Sequence, residues 1–464
     1  MPSTAIVWFR RDLRVHDHPA LTAALASADT VVPLFVFDEP LLHGRCPSAN
    51  RTWFMRESVA ALSAAISERG GSLRIASGRP ADVVPALARE LGASEVFVTR
   101  DAAPYGRRRD RVVAERLAAH GIQLRRERGL YVHEPDEVVT ADAAAFTVYG
   151  PFRRAWQLLE RRAMLPAPER IPGPAGARPD PIPDVAPPSA DRDLIPDPGE
   201  AAARARLERW LDGTVEQYAS GRDRLGGEGT SRLSQDLRWG LLSPLEVVDR
   251  AEGAGEGRRV YVGELIWREF YAHILWHHPE VLRRPFQAAF ADVHRRDDEA
   301  YRAWAEGRTG YPVVDAAMRQ LRAAGYVHNR GRMVAASFLT KDLLLEYGLG
   351  EAEFMRHLTD GDVASNNGGW QWTASTGTDP QPYFRIFNPV LQGKRFDPDG
   401  IYVRRWVPEL AAVPDNRIHE PWTMTQDEQA TARCRIGVDY PAPIVEHRAA
   451  RERALAAYAA AKAG

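Results

Sequence analysis

The sequence predicts a two-part chain: an α/β domain built on a doubly wound parallel sheet, then a long linker, then an all-α domain. Three observations carry this. Short β-branched or aromatic runs alternate with helical patterns over the first 130 residues, eleven of the 33 residues from 166 to 198 are proline, and beyond residue 200 helix-like runs far outnumber strand-like ones. The divisions that follow are 1–132 for the α/β domain, 133–200 for the Pro-rich interdomain linker and 201–464 for the helical domain.

The strands are predicted at 5–9, 31–37, 73–76 and 95–99, with a weaker one at 122–125. Between the second and third, Asn50 stands as an N-cap before Met55, Val59, Leu62 and Ile66, which recur on one helical face. Alternation of this kind argues for a parallel sheet, but Trp8-Phe9-Arg10-Arg11-Asp12 follows the first strand where a GxGxxG fingerprint would stand. A dinucleotide is therefore not held there in the usual way. The proline-rich stretch forbids regular helix and favours an extended crossing of the surface. After it, helices are predicted at 204–213, 233–242, 262–276, 311–324 and 332–347, in a region holding nine of the twelve tryptophans.

With 464 residues, 44% of them hydrophobic, the chain can bury sizeable cores. No apolar run approaches the roughly 20 residues of a membrane span, and residues 4–9 are too short, and too soon followed by Arg10-Arg11-Asp12, for a signal peptide. A cytoplasmic location without membrane contact is expected. Cys46 and Cys434 form neither a disulfide framework nor a CxxC pair, which fits a reducing compartment, and no metal site is expected. A net charge of -1 gives no global attraction to nucleic acid. Local clusters exist: Arg319, Arg322, Arg330, Arg332 and Lys341 occur without an acid in 316–341, as do Arg385, Lys394 and Arg395 in 380–396. Alone, such runs are usually solvated faces.

Four segments carry chemistry. Gly229-Thr230-Ser231-Arg232-Leu233-Ser234 sets three hydroxyls before a helix, with Tyr218 twelve residues ahead of Thr230, and reads either as a phosphate site or as a capped helix. In the predicted helix 262–276, Glu264, Trp267 and Arg268 share one face at i, i+3 and i+4, a carboxylate, an indole and a guanidinium together. His328-Asn329-Arg330-Gly331-Arg332-Met333 adds an amide, two guanidiniums and a thioether. Asp360-Gly361-Asp362 precedes Asn366-Asn367-Gly368-Gly369-Trp370-Gln371-Trp372; the EF-hand spacing fails, and Asn-Asn-Gly-Gly, poor as helix and as strand, suggests backbone in close approach to something. One large planar ligand would satisfy all four.

These segments, with Trp8 to Arg14, Ser375-Thr376-Gly377-Thr378-Asp379 and Tyr383-Phe384-Arg385-Ile386-Phe387-Asn388-Pro389, resemble the photolyase/cryptochrome family over nearly the whole chain, and look closest to its class I enzymes for cyclobutane pyrimidine dimers. The resemblance implies an N-terminal antenna-binding domain and a C-terminal domain that binds FAD, in a monomeric enzyme of the deoxyribodipyrimidine photo-lyase type acting on damaged single- or double-stranded DNA. It implies that Tyr218 and Thr230, Ser231, Arg232, Leu233 and Ser234 hold the FAD phosphates and ribityl chain. Arg268 would neutralise phosphate, Asp360 and Asp362 would contact the flavin and ribose edges, Arg332 would pair with Asp360, and Asn329 would share in cofactor binding. Asn366 would face the flavin N5, where plant cryptochromes typically carry Asp.

A lesion must leave the duplex to reach a buried flavin. By the same resemblance Trp267 and Trp372 would wall the lesion pocket, Glu264 and Asn329 would hydrogen-bond the dimer, and Met333 would pack on it; enzymes for the (6-4) lesion carry His at that place. One electron from excited reduced FAD would open the dimer and return. Arg222, Arg330, Arg385, Gln392 and Lys394 would grip the strand around it. A cryptochrome-type photoreceptor on the same scaffold is the alternative.

Folate-binding members carry a Cys-Lys pair before the Arg-Pro-Phe segment and a Glu after the fourth strand; here these stretches read Leu282-Arg283-Arg284-Pro285-Phe286 and Arg100-Asp101-Ala102-Ala103-Pro104-Tyr105. The expected antenna is therefore 8-hydroxy-5-deazaflavin, with a flavin or methenyltetrahydrofolate as alternatives, against Phe35, Phe37, Arg51 and Asp101. The family's three-tryptophan relay to the flavin is matched only at Trp370. Tyr347 falls at the second place and His294 at the third, so the electron path is expected to run from Trp370 to Tyr347 and end there or leave through Trp304 or Tyr301.

Overall fold

The computed structural model describes residues 3–291 and 293–463. The predicted alternation folds into five parallel strands in the order β3-β2-β1-β4-β5: β1 (Thr4–Phe9), β2 (Thr30–Asp38), β3 (Arg74–Gly78), β4 (Glu95–Thr99) and β5 (Gln123–Glu127). The crossovers are α1 (Pro19–Ser27), α2 (Ala49–Ser67), α3 (Pro80–Glu90) and α4 (Pro104–Ala118). β1 pairs with β2 from Thr4↔Thr30 to Phe9↔Phe35 and with β4 from Ala5↔Glu95 to Val7↔Phe97. Successive side chains leave opposite faces of a strand. Ala5, Val7 and Phe9 thus enter one core and Ile6 and Trp8 another, which is why the central strands read as unbroken apolar runs.

α2 begins two residues earlier than an N-cap at Asn50 implies, with Ser48 as the cap and its Oγ accepting from the Arg51 N–H at 3.3 Å. Asn50 is buried and pins the two domains instead: Nδ2 donates to the His357 carbonyl at 2.6 Å, and Oδ1 accepts from Ser189 Oγ and the Ala190 N–H. The proline-rich stretch is extended and covers the open edge of β3: the Asp180 N–H donates to the Leu73 carbonyl, and its carboxylate accepts from the Ile75 N–H. The 133–200 span also contains a helix, α5 (Tyr149–Leu158), whose Phe152 and Trp156 are buried.

The second domain is helical. Its helices include α6 (Glu200–Leu211), α7 (Ser234–Trp239), α8 (Glu256–His277), α9 (Asp298–Ala305), α10 (Pro312–Ala324), α11 (Asn329–Ser337), α12 (Tyr347–His357), α13 (Val363–Ala374), α14 (Pro389–Phe396) and α15 (His447–Ala463). Two predicted helices are shorter than their apolar patterns. α7 stops at Trp239 because Gly240, at φ 62°, presses against the loop after β1; a Cβ there would lie 2.2 Å from the Arg11 carbonyl oxygen. The predicted helix 332–347 breaks after Ser337 into a π-turn at Phe338–Asp342. The turn carries Lys341 inward, where Nζ donates to Ser375 Oγ at 2.9 Å and to the Ala374 carbonyl at 3.3 Å, at the end of α13. One core runs from the sheet residues Phe35 and Phe97 to Trp210, Ile266 and Phe270, joining the domains without a solvent gap.

Candidate active site

A cavity of about 470 Å³ opens in the helical domain, and every residue assigned above to FAD lines it: Tyr218, Thr230, Ser231, Arg232, Leu233, Ser234, Arg268, Asn329, Arg332, Asp360, Asp362 and Asn366. Residues separated by nearly 150 positions meet because α8, α11 and α13 converge there with the loop ahead of α7.

That loop is tightly bent. Arg232 has φ 54°, and a Cβ on Gly229 would meet the Gly221 carbonyl oxygen at 2.4 Å. None of its hydroxyls caps α7, whose N-cap is Leu233, so the capped-helix reading of this run does not hold. Two guanidiniums of the lining, Arg268 and Arg238, make no ion pair among the described residues. Among the described residues Arg268 donates to the Leu130 carbonyl at 3.0 Å and the Leu237 carbonyl at 3.4 Å. Arg238, absent from the sequence assignment, gives Nε to the Gly361 carbonyl at 2.8 Å and leaves Nη1 buried without a partner. Burial and the neighbouring Arg11 push Arg238 down to about 9.

The Asp360-Gly361-Asp362 turn supplies the acids. Arg332 Nη2 donates to Asp360 Oδ2 at 2.7 Å, the expected pair, while Asp360 Oδ1 is buried with no partner. Asp362 caps α13 by accepting from the Ala364 and Ser365 N–H groups and pairs with Arg11 Nη2 at 2.9 Å. Burial pushes its carboxyl upward, but Arg11, Arg238 and Arg268 together hold it well below the usual carboxylate range. Unpaired buried cations and an unpaired buried carboxylate oxygen are costly unless a ligand engages them. An anionic diphosphate bearing ribose hydroxyls and a ring N–H engages both, so the residues fit FAD.

The expectation that Asn-Asn-Gly-Gly resists helix is corrected: residues 366–369 lie inside α13. The Asp362 cap and packing on α8 outweigh their poor propensity. The expected close approach is present, since a Cβ on Gly368 would collide with the Tyr271 ring at 2.1 Å, whereas Gly369 has nothing within 4 Å of that position. Asn366 Nδ2 donates to the Glu351 carbonyl at 3.0 Å.

At the cavity mouth stand Trp267, Trp372, Glu264, Met333 and Arg222. Glu264 accepts from Arg222 Nη1 at 2.6 Å, and Asn329 Nδ2 lies 3.7 Å from Met333 Sδ. Four residues expected to grip DNA do not line it. Arg330 pairs with Asp223 at 2.8 Å over the Phe396 ring, Lys394 pairs with Glu420 at 2.5 Å, Gln392 keeps a buried Oε1 without a partner, and Arg385 is exposed with no ion pair among the described residues.

Trp370 lines the cavity, but Tyr347 does not. The rings against Trp370 are Phe354, at 4.9 Å between centroids, and Trp304, at 6.0 Å; Tyr301 lies 6.1 Å beyond Trp304. His294 instead meets Tyr458, whose Oη is 2.9 Å from Nε2. Counting along the chain thus selects Tyr347 and His294, while α9 and α12 lay Trp304 and Phe354 beside the first tryptophan.

A second cavity, of about 370 Å³, lies between the carboxyl ends of the strands and α12. Phe35, Arg51 and Asp101 line it; Phe37 is buried in the sheet core and does not. Arg51 spends its donors on the backbone carbonyls of Cys46, Met355 and Leu358, and burial pushes it down to about 10. Asp101 faces Arg11 and Arg109.

Family models for the DNA photolyase domain and for the FAD binding domain of DNA photolyase match residues 5–172 and 261–460. The chain is 41% identical to a deoxyribodipyrimidine photo-lyase of Streptomyces griseus, over 97% of this chain and 98% of that one, and 39% identical to that of Escherichia coli over the full length of both. Among solved structures, a class III photolyase from Agrobacterium tumefaciens superposes with a TM-score of 0.94 at 38% identity, covering 100% of this chain and 98% of that one. A Synechocystis cryptochrome gives 0.90 at 28% identity, covering 98% and 99%. Fold and site together define a flavoprotein of the DNA photolyase/cryptochrome family, and the chain belongs to it. Within that family it is a light-dependent DNA-repair lyase of the deoxyribodipyrimidine photo-lyase type, acting on pyrimidine dimers. The likeness of its motifs to class I enzymes stands beside a class III structural neighbour. No helix among the described residues is long and apolar enough to cross a membrane.

Proposed function

We propose that the chain repairs cyclobutane pyrimidine dimers, receiving the flipped dimer against Trp267 and Trp372 above an FAD held by the cavity floor. The observation that carries this is the convergence of the phosphate-type residues, the Asp360-Arg332 pair and the lesion-type residues on one cavity. When bound, reduced FAD supplies the light-driven one-electron chemistry. The chain's part is to hold, orient and dry the site. Arg268 and Arg238 would offset phosphate charge, Asp360, with its unpartnered Oδ1, would hold the cofactor, and Glu264, kept in place by Arg222, would hydrogen-bond the dimer. Met333 packs on it where a His would favour a different lesion. Asn366 and the paired indoles favour repair over the photoreceptor reading that the Synechocystis neighbour raises.

The second cavity suits a planar antenna chromophore. A solved archaeal photolyase from Sulfolobus tokodaii, TM-score 0.84 at 27% identity over 98% of this chain and 100% of that one, contains two FAD molecules. With no folate signature in the sequence, a deazaflavin or a second flavin is the proposed occupant here. The test is chemical: denaturation releases FAD in equimolar amount, and Asp360→Ala with Arg238→Ala abolishes its retention while the fold survives. Full retention of FAD by that double variant would remove the floor from the proposal.

A further inference from the structure

The interdomain span contributes to the cavity mouth. Tyr149, the first residue of α5, lies flat on the Trp267 indole, with ring centroids 3.8 Å apart and planes 8° apart. Two hydrogen bonds fix it there. Its N–H donates to Asp379 Oδ2 at 3.0 Å, and its Oη donates to the Gly263 carbonyl at 2.7 Å. Neither ring is core: both are half-buried, and Trp267 lines the cavity. Tyr149 thus covers one face of an indole that also lines the cavity.

One turn further, Arg153 occupies the same side of α5 at i+4. Its guanidinium lies against Gly263, where a Cβ would sit 3.8 Å from Nη1 and 3.6 Å from Tyr149 Oη. Arg153 is half-buried and makes no ion pair among the described residues, whereas Arg330 and Lys394 are both paired. The Tyr149 phenol, pushed up by burial, feels Arg153, Glu264 and Arg222 together, which gathers these charges around one point at the mouth.

We infer that α5 is part of the DNA-binding face: Tyr149 is a positioning residue that holds the Trp267 indole flat toward the lesion, and Arg153 contacts a strand phosphate beside it. This rests on the lesion-binding reading above. Stacked aromatic pairs fix ring orientation at low entropic cost, and a guanidinium without a carboxylate is free for phosphate.

The test uses the full-length FAD-loaded protein and two oligonucleotides, one with a single cyclobutane dimer and one undamaged, with binding measured across a range of salt. Tyr149→Ala is expected to lose about 3- to 10-fold of the preference for the damaged strand, with FAD content and undamaged-strand binding unchanged. Tyr149→Phe, which keeps the ring, is expected to retain it. Tyr149→Leu keeps bulk without the stack and replaces the alanine variant should that lose FAD. Arg153→Gln is expected to flatten the slope of log affinity against log salt by roughly 0.7–0.9 on both strands without changing the preference. Full damage preference in FAD-loaded Tyr149→Ala or Tyr149→Leu, or a wild-type slope in Arg153→Gln, overturns the inference. A wild-type protein without damage preference overturns the underlying reading instead.

Discussion

At the scale of single residues, the chemistry depends on a few polar groups whose partners are incomplete. Glu264 has one firm partner, Arg222, and faces the cavity with the rest of its acceptor capacity. Glu264→Ala is expected to lower repair per absorbed photon several-fold while FAD stays bound, as measured by dimer loss against photon dose; an unchanged yield would remove Glu264 from the site. The electron path into FAD is a second residue-scale matter. Trp304 is fully buried beside Trp370, and Tyr301 Oη donates to Glu353 Oε2 at 3.0 Å, which gives the phenolic proton an acceptor on oxidation. Transient absorption of the oxidised protein is expected to show a tyrosyl radical that Tyr301→Phe and Trp304→Phe abolish and Tyr347→Phe spares. A radical lost only in Tyr347→Phe would restore the path that chain position suggests. The cavity lining was legible in sequence because family motifs carry side-chain identity. Arg238 was not, since it stands outside every motif, and the rings beside Trp370 depend on how α9 meets α12.

At the scale of elements, the sheet was legible almost strand by strand, because apolar runs of β-branched residues bounded by turns have few alternatives. Helix ends were less so. Apolar periodicity continues through residues 332–347, yet the chain turns at Phe338–Asp342, since the need to bring Lys341 to the end of α13 is a tertiary demand that a local pattern does not record. Burial pushes the Lys341 ammonium down to about 7 from an ordinary value near 10.5. The sign follows from linkage: between pH 7 and 10.5 the unfolded chain binds more protons than the folded one, so this group makes stability rise with pH across that window. Below pH 7 its cost to the folded state is fully present. The thermal midpoint of Lys341→Met, compared with wild type from pH 6 to 10, is expected to lack this rise. Identical pH dependence in the two proteins would show that Lys341 is charged or solvated in the fold.

At the scale of the whole molecule, the net charge of -1 means that DNA affinity has to come from placed cations. Composition did not reveal which. Ion pairing withdraws Arg330 and Lys394, and leaves Arg385 exposed among the residues first expected to hold the strand. Arg385→Ala is therefore expected to flatten the salt dependence of DNA binding by roughly 0.7–0.9 in log–log slope, and Arg330→Ala and Lys394→Ala by less. Equal slopes for all three variants would mean that the pairs open on binding. The domain order was legible from proline content and periodicity, whereas the continuous core that joins the domains, with Asn50 as a pin, was not, because contacts between distant segments leave no local trace. The proposed function of the whole molecule is the light-driven reversal of cyclobutane dimers at this cavity. The direct measurement is dimer content of an oligonucleotide incubated with the FAD-reduced protein, in blue light and in darkness. Intact pyrimidines restored in light alone, with a (6-4) lesion left untouched, is the predicted result. Equal binding to damaged and undamaged strands, with no light-dependent loss of dimers, would contradict it.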